Sequence, residues 1–163
     1  MTLWEKINSD FKEAYKAKDE TLVSTLRLLL AAIKNKEVEK RTKLSKSEPI
    51  EKLEELSKLS DEEIISVVFS EVKRRKEAAE QYKQGGREEL ARKEEQEMKI
   101  LSFYMPEQLG EEEIKKLVQE AIKKTGASGL PDLGKVMGAL MPQVKGKADG
   151  NLVNKIVREE LEK

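Results

Sequence analysis

Apolar residues recur along the chain at intervals of three and four, and no sustained alternation competes with that period, so the pattern predicts an all-α protein. Thr2 and Glu5 stand in the T-x-x-E arrangement of a capping box, and Trp4, Ile7, Phe11, Ala14 and Tyr15 follow at helical spacing. Asp19 is placed to cap a second helix, in which Leu22, Leu26, Leu29, Leu30 and Ile33 make a wide apolar stripe that fades into the polar stretch 34–46. Pro49 cannot donate a backbone hydrogen bond, so 42–59 reads as a charged connector with room for a short helix over Ile50, Leu53 and Leu56. Ser60 and Glu63 repeat the capping box and open a helix through Ile64, Val68, Val72 and Ala79 toward Tyr82, which Gly85-Gly86 stops. A fourth long helix is expected from about Arg87, through Leu90, Ile100 and Leu101, to Tyr104, where Met105-Pro106 ends it.

The texture changes after Pro106. Seven of the nine glycines lie between Gly110 and Gly150, and the helices shorten. Ile114, Leu117, Val118, Ala121 and Ile122 form one stripe, and Leu133, Val136, Met137, Leu140 and Met141 form another between Pro131 and Pro142. Asp149 can cap a last helix carrying Leu152, Val153, Ile156, Val157 and Leu161. The expected organisation is therefore an N-terminal bundle of about four helices over 1–105 and a three-helix tail over 106–163. A tail of that size buries only about 60% of its unfolded surface and is marginal alone.

Composition narrows the chemistry. Histidine and cysteine are absent, which removes triads built on either, thiolate nucleophiles, disulfides and the usual structural zinc sites. Carboxylates are plentiful, but none sits in an apolar stretch where burial would raise its pKa for acid–base work, and no G-x-S-x-G elbow occurs. The expectation is no catalytic residue, no metal site and no cofactor. No apolar run approaches the roughly 18 residues of a membrane span, and residues 1–6 lack the apolar core of a signal peptide, so a cytoplasmic protein is expected.

Lysine plus arginine and aspartate plus glutamate both total 32, so net charge is zero and the informative signal is local. Residues 34–46 hold six basic and two acidic side chains, 73–92 hold seven and four, and 123–147 hold five and one. Such segments are either solvated helix faces or parts of a polyanion-binding surface. Within 137–154, Pro142 is expected to end one helix, and Lys145-Gly146-Lys147 crosses a turn to the next helix start. Helix N-termini and nearby lysines favour phosphate, although a capping Asp149 competes for the same amides. All seven aromatics lie at or before Tyr104 at core-like spacing, so plain packing is expected of them, and RNA readout by the tail would rest on backbone and shape rather than stacking.

The run Thr125-Gly126-Ala127-Ser128, the run Asp132 to Met137 (DLGKVM) and the run Val144 to Gly150 (VKGKADG) with Leu152-Val153 resemble the tail domain of GatB, one component of the tRNA-dependent amidotransferase. Upstream, Leu26-Arg27-Leu28-Leu29-Leu30, Glu71-Val72-Lys73-Arg74-Arg75, Gln81-Tyr82, Gly85-Gly86-Arg87 and the run Tyr104 to Leu109 (YMPEQL) are similar to the stand-alone YqeY family, which shares that tail. The resemblance implies a helical bundle followed by a tail domain that reaches the outer corner of a transfer RNA, without the domains that perform amide transfer. It makes Lys135, Lys145, Lys147 and Asn151 in the tail, with Arg27, Lys73, Arg75 and Arg87 upstream, candidates for tRNA contact. The implied function is a non-catalytic tRNA-binding accessory. The alternatives are a protein-interaction adaptor with a partner chain, or a partner-dependent component of a carbon–nitrogen ligase that takes its amide from glutamine.

Overall fold

The computed structural model describes residues 1–163, and the chain divides into two compact units, Met1–Met105 and Pro106–Lys163. Every regular element is helical. The first unit holds α1 (Leu3–Ala17), α2 (Glu20–Leu44), α3 (Ile50–Leu56), α4 (Asp61–Gln84) and α5 (Glu88–Ser102). The second holds α6 (Glu111–Thr125), a 3₁₀ turn (Leu130–Asp132), α7 (Leu133–Val144) and α8 (Gly150–Leu161).

Local capping chemistry sets most helix starts. In α1 the Thr2 hydroxyl accepts from the Glu5 N–H at 3.2 Å while the Glu5 carboxylate accepts from the Thr2 N–H at 2.8 Å. Ser60 and Glu63 reproduce the exchange at the start of α4, at 3.3 and 2.8 Å. Asp19 caps α2 by accepting from the Leu22 N–H at 3.0 Å. The reversal between α1 and α2 places Lys18 in the left-handed region at φ 58°, and Gly86 does the same after α4 at φ 70°.

The first core gathers Ile7 from α1, Leu26, Leu29 and Ile33 from α2, Ile64 and Val68 from α4, and Leu101 beside Tyr104. Tyr104 donates its hydroxyl to Asp10 Oδ2 at 2.7 Å, tying the end of the unit back to α1. Burial first, then this bond, pushes the phenol above its ordinary pKa. The second core is formed by Ile114, Val118 and Ala121 of α6, Val136, Leu140 and Val144 of α7, and Val153, Ile156 and Val157 of α8.

Two expectations are corrected here. Pro142 does not end its helix: it sits inside α7, which continues to Val144, and the hydrogen-bond ladder resumes with Lys145 N–H donating to Met141 O at 2.9 Å. In the last turn a missing N–H removes a single bond, which the flanking helix tolerates. The aromatics are also not uniformly core residues. Tyr104 is buried, but Trp4, Tyr15 and Phe103 are 45, 66 and 80% exposed.

Candidate nucleic-acid interface

The turn between α7 and α8 is built from the backbone outward. Lys147 and Ala148 both donate their N–H groups to Val144 O, at 2.9 and 3.0 Å, and Gly146 adopts φ 76°, a conformation costly for any side-chain-bearing residue. The segment leading into α6 fastens this turn: Leu109 N–H donates to Lys147 O at 2.8 Å and Gln108 Nε2 donates to Gly146 O at 2.9 Å. With Val144 buried and Ala148 packed on the core, the backbone is fixed. Lys145 and Lys147 are left exposed, and neither makes an ion pair.

Asp149 caps α8 and accepts from the Asn151 N–H at 2.7 Å, so its carboxylate already occupies the amide end that an anion would seek. Asn151 keeps an exposed side chain in the first turn. Any phosphate contact at this turn therefore falls to the two lysines.

Lys135 lies on the exposed face of α7 with Gly134, Gly138, Ala139, Pro142 and Gln143. A methyl group added at Gly134 or Gly138 would meet nothing within 4 Å. Packing within the chain thus gives no reason for two glycines in a helix, where each costs about 0.5–1 kcal/mol relative to alanine. Their effect is to leave bare backbone beside Lys135. The last turn of α6 adds Lys123 and Lys124, which line one shallow depression with Ala139, Gln143 and Glu120. Sequence reasoning did not single out these two lysines, although the basic count over 123–147 signals the segment.

The first unit treats its cations differently. Arg75 is buried: its Nη1 donates to Glu71 Oε2 at 2.7 Å and to the Glu71 carbonyl at 3.2 Å, while Nε donates to Glu97 Oε2 at 3.0 Å. The assignment of Arg75 to RNA contact is corrected accordingly, because its guanidinium bridges α4 to α5 inside the protein. Lys73, two residues earlier, is about 200° away around the helix, half-buried and already partnered. Arg87 is exposed just before α5, and Arg27 is exposed on α2.

The Glu5, Glu39, Glu63, Glu95 and Glu160 carboxyls are all displaced downward from their ordinary pKa. The Lys40 ammonium, then the Ser60 N–H, lower Glu63, and Lys83 lowers Glu95. None of these is held protonated as a general acid would be. No helix is long and apolar enough to cross a membrane.

A profile of the Yqey-like protein family matches residues 4–161. Among curated relatives, "Altered inheritance of mitochondria protein 41, mitochondrial" of Pyrenophora tritici-repentis is 29% identical over 157 residues, covering 94% of this chain and 78% of that protein. Its namesake in Eremothecium gossypii is 34% identical over 100 residues, covering 61% of this chain and 46% of that protein. A glutamyl-tRNA(Gln) amidotransferase subunit of Methanobrevibacter smithii is 36% identical over 59 residues, about the length of the second unit, covering 34% of this chain and 10% of the subunit. The names of the longer matches correct the cytoplasmic expectation, since those relatives are mitochondrial proteins. Charge and the lack of a membrane-length apolar run do not distinguish one aqueous compartment from another.

Proposed function

This chain belongs to the YqeY-like family, and from that premise we propose that it is a tRNA-binding accessory module with no catalytic site of its own. The observation that carries the reading is the exposed face of α7. Lys135 and the Lys145–Lys147 turn bracket a stretch of small residues, Lys123 and Lys124 line one side, and none of the five lysines is neutralised by an ion pair. A rigid cationic face with bare backbone suits a ribose-phosphate chain read by shape, since no aromatic is present in this unit for base stacking. Asn151 adds a neutral hydrogen-bonding group at the same turn.

The similarity to a protein named for glutamyl-tRNA(Gln) supports transfer RNA over other polyanions. Amide transfer does not come with it, because the match spans a tenth of that protein.

Titrating the full chain with deacylated tRNA and with a plain RNA duplex, each at two salt concentrations, tests the proposal. The expected result is tighter binding to tRNA, with a salt slope that becomes shallower by roughly two units in the Lys145→Ala/Lys147→Ala variant. Equal affinity for the duplex, or an unchanged slope in the variant, would overturn it.

A further inference from the structure

Helix α2 is apolar on two opposite faces. Leu26, Leu29 and Ile33 are buried in the first unit's core. On the far side, at the alternating four- and three-residue spacing of a heptad seam, stand Ser24, Leu28, Ala31, Asn35, Val38 and Thr42, all exposed. Leu28 and Val38 are each 53% exposed. The seam contains no charge in a chain that is 39% charged, and it runs for about 27 Å at 1.5 Å per residue. The hydroxyls of Ser24 and Thr42 bond back to the carbonyls of Thr21 and Val38, so both ends of the stripe are locally satisfied.

One flank of this seam is uniformly basic. Arg27, Lys34 and Arg41 recur at seven-residue intervals, and only Lys34 has an ion-pair partner, the exposed one-turn contact to Glu37 at 3.2 Å. Toward the C-terminal half of α2, Lys34, Val38 and Arg41 open into a cleft of about 550 Å³ that also takes in Trp4, Leu59 and Ile64. The stripe thus combines an apolar track, a row of cations and an adjoining recess for a large side chain.

We infer that this face of α2 docks an acidic amphipathic helix of a partner protein. Small and apolar residues of that helix lie along Leu28, Ala31 and Val38, its carboxylates meet Arg27, Lys34 and Arg41 at the same seven-residue interval, and one bulky side chain enters the cleft beside Trp4. The neutral amide of Asn35 at the middle of the seam sets the register. A second copy of the chain is a poorer occupant. In an antiparallel pair the basic row faces itself, and in a parallel pair only Lys34 meets an acid, Glu39, while Arg27 meets Ala32 and the position opposite Arg41 is Lys46, past the end of α2. RNA is poorer too, because the seam itself carries no cation for a phosphate and no ring to stack a base.

The test is a photo-crosslinking residue placed at Ala31 in the full chain and produced in its own host, with the same residue at Lys36 on the other flank as control. The expected product at position 31 is one protein, joined through a segment with apolar residues at heptad spacing and acids every seventh residue. Arg27→Glu combined with Arg41→Glu should cut the yield about tenfold while the thermal melt stays unchanged. Crosslinks to a second copy, to nuclease-sensitive RNA, or no excess over the Lys36 control would overturn the inference, as would an undiminished yield from the charge-reversed chain.

Discussion

Residues 73–92 and 123–147 look alike in sequence, each rich in cations in a chain of zero net charge, yet the fold engages four of the seven cations in the first and pairs none of the five in the second. In the α4–α5 hairpin, Arg75 bridges Glu71 and Glu97, Arg74 pairs with Glu71 at 3.1 Å, Lys83 pairs with Glu95, and Lys73 is also engaged. Across α6 and α7, Lys123, Lys124, Lys135, Lys145 and Lys147 have no such partners. The difference follows from where the acids fall. Glu71 precedes Arg74 and Arg75 by one helical turn and is buried with Arg75, and Glu97 comes back to Arg75 through the hairpin. In the tail, Glu120 stands one turn before Lys123 and Lys124 but is exposed and pairs with neither, and most other acids cluster in the first turn of α6 and at the end of α8. A basic segment is therefore a candidate interface only when the fold does not bury an acidic complement against it.

The largest expected effect tests the internal side of this contrast. Arg75→Ala should destabilise the protein by about 3–5 kcal/mol in denaturant unfolding, because it leaves the buried Glu97 without a counter-charge and the buried Glu71 with only the exposed Arg74. Replacing the group together (Glu71→Leu, Arg75→Met, Glu97→Leu) should recover most of that loss. If Arg75→Ala keeps its stability and instead weakens tRNA binding, the two segments are not different in kind.

The outer side of the contrast predicts the reverse profile. Lys123→Ala/Lys124→Ala and Lys135→Ala should leave the unfolding free energy within about 0.5 kcal/mol. Each lysine that touches phosphate should lower the salt slope of tRNA binding by roughly one unit. Lys123 and Lys124 are the sharper test, since their inclusion rests on the fold. A slope unmoved by that pair would confine the face to α7 and the following turn.

What could be read beforehand was mostly what one helical turn determines. The Thr2–Glu5 and Ser60–Glu63 boxes and the Asp19 cap need only residues three apart, and all three are present. The core stripes of α2, α6 and α8 follow from the same short period. Reasoning failed where the partner is distant in sequence. Arg75 matched a family motif, but its burial depends on Glu97, 22 residues away on the next helix. Lys123 was one of several lysines until α7 brought Ala139 and Gln143 beside it. Trp4 has the spacing of a core residue, and its exposure arises because the recess between it and α2 is not filled by the chain itself.

Acid sensitivity gives a smaller effect within the first unit. Glu63 is held below its ordinary 4.5 by Lys40 at 2.8 Å and by the Ser60 N–H. Its folded pKa lies below the unfolded one, so the stability it contributes is present above about pH 4.5 and disappears as pH falls through the lowered value. Lys40→Met should shift the acid-unfolding midpoint upward and flatten that limb, and Ser60→Ala should cost about 1 kcal/mol at neutral pH through the lost cap. An acid limb that keeps its position and slope in Lys40→Met would show that this pair contributes nothing measurable.

The smallest expected change separates folding from binding most directly. At Gly138 the backbone is helical, solvent-facing and free of neighbours within 4 Å of an added methyl. Gly138→Ala should therefore stabilise the protein by about 0.5–1 kcal/mol, through higher helix propensity and a less disordered unfolded chain. A surface that only needs positive charge would bind tRNA just as well with a methyl there. A surface that needs close approach of a sugar-phosphate backbone beside Lys135 would bind less tightly, with the salt slope unchanged because no cation is lost. Greater stability combined with weaker binding and an equal slope is the expected result. Greater stability with unaltered affinity would remove the bare backbone from the interface and leave the lysines alone to account for it.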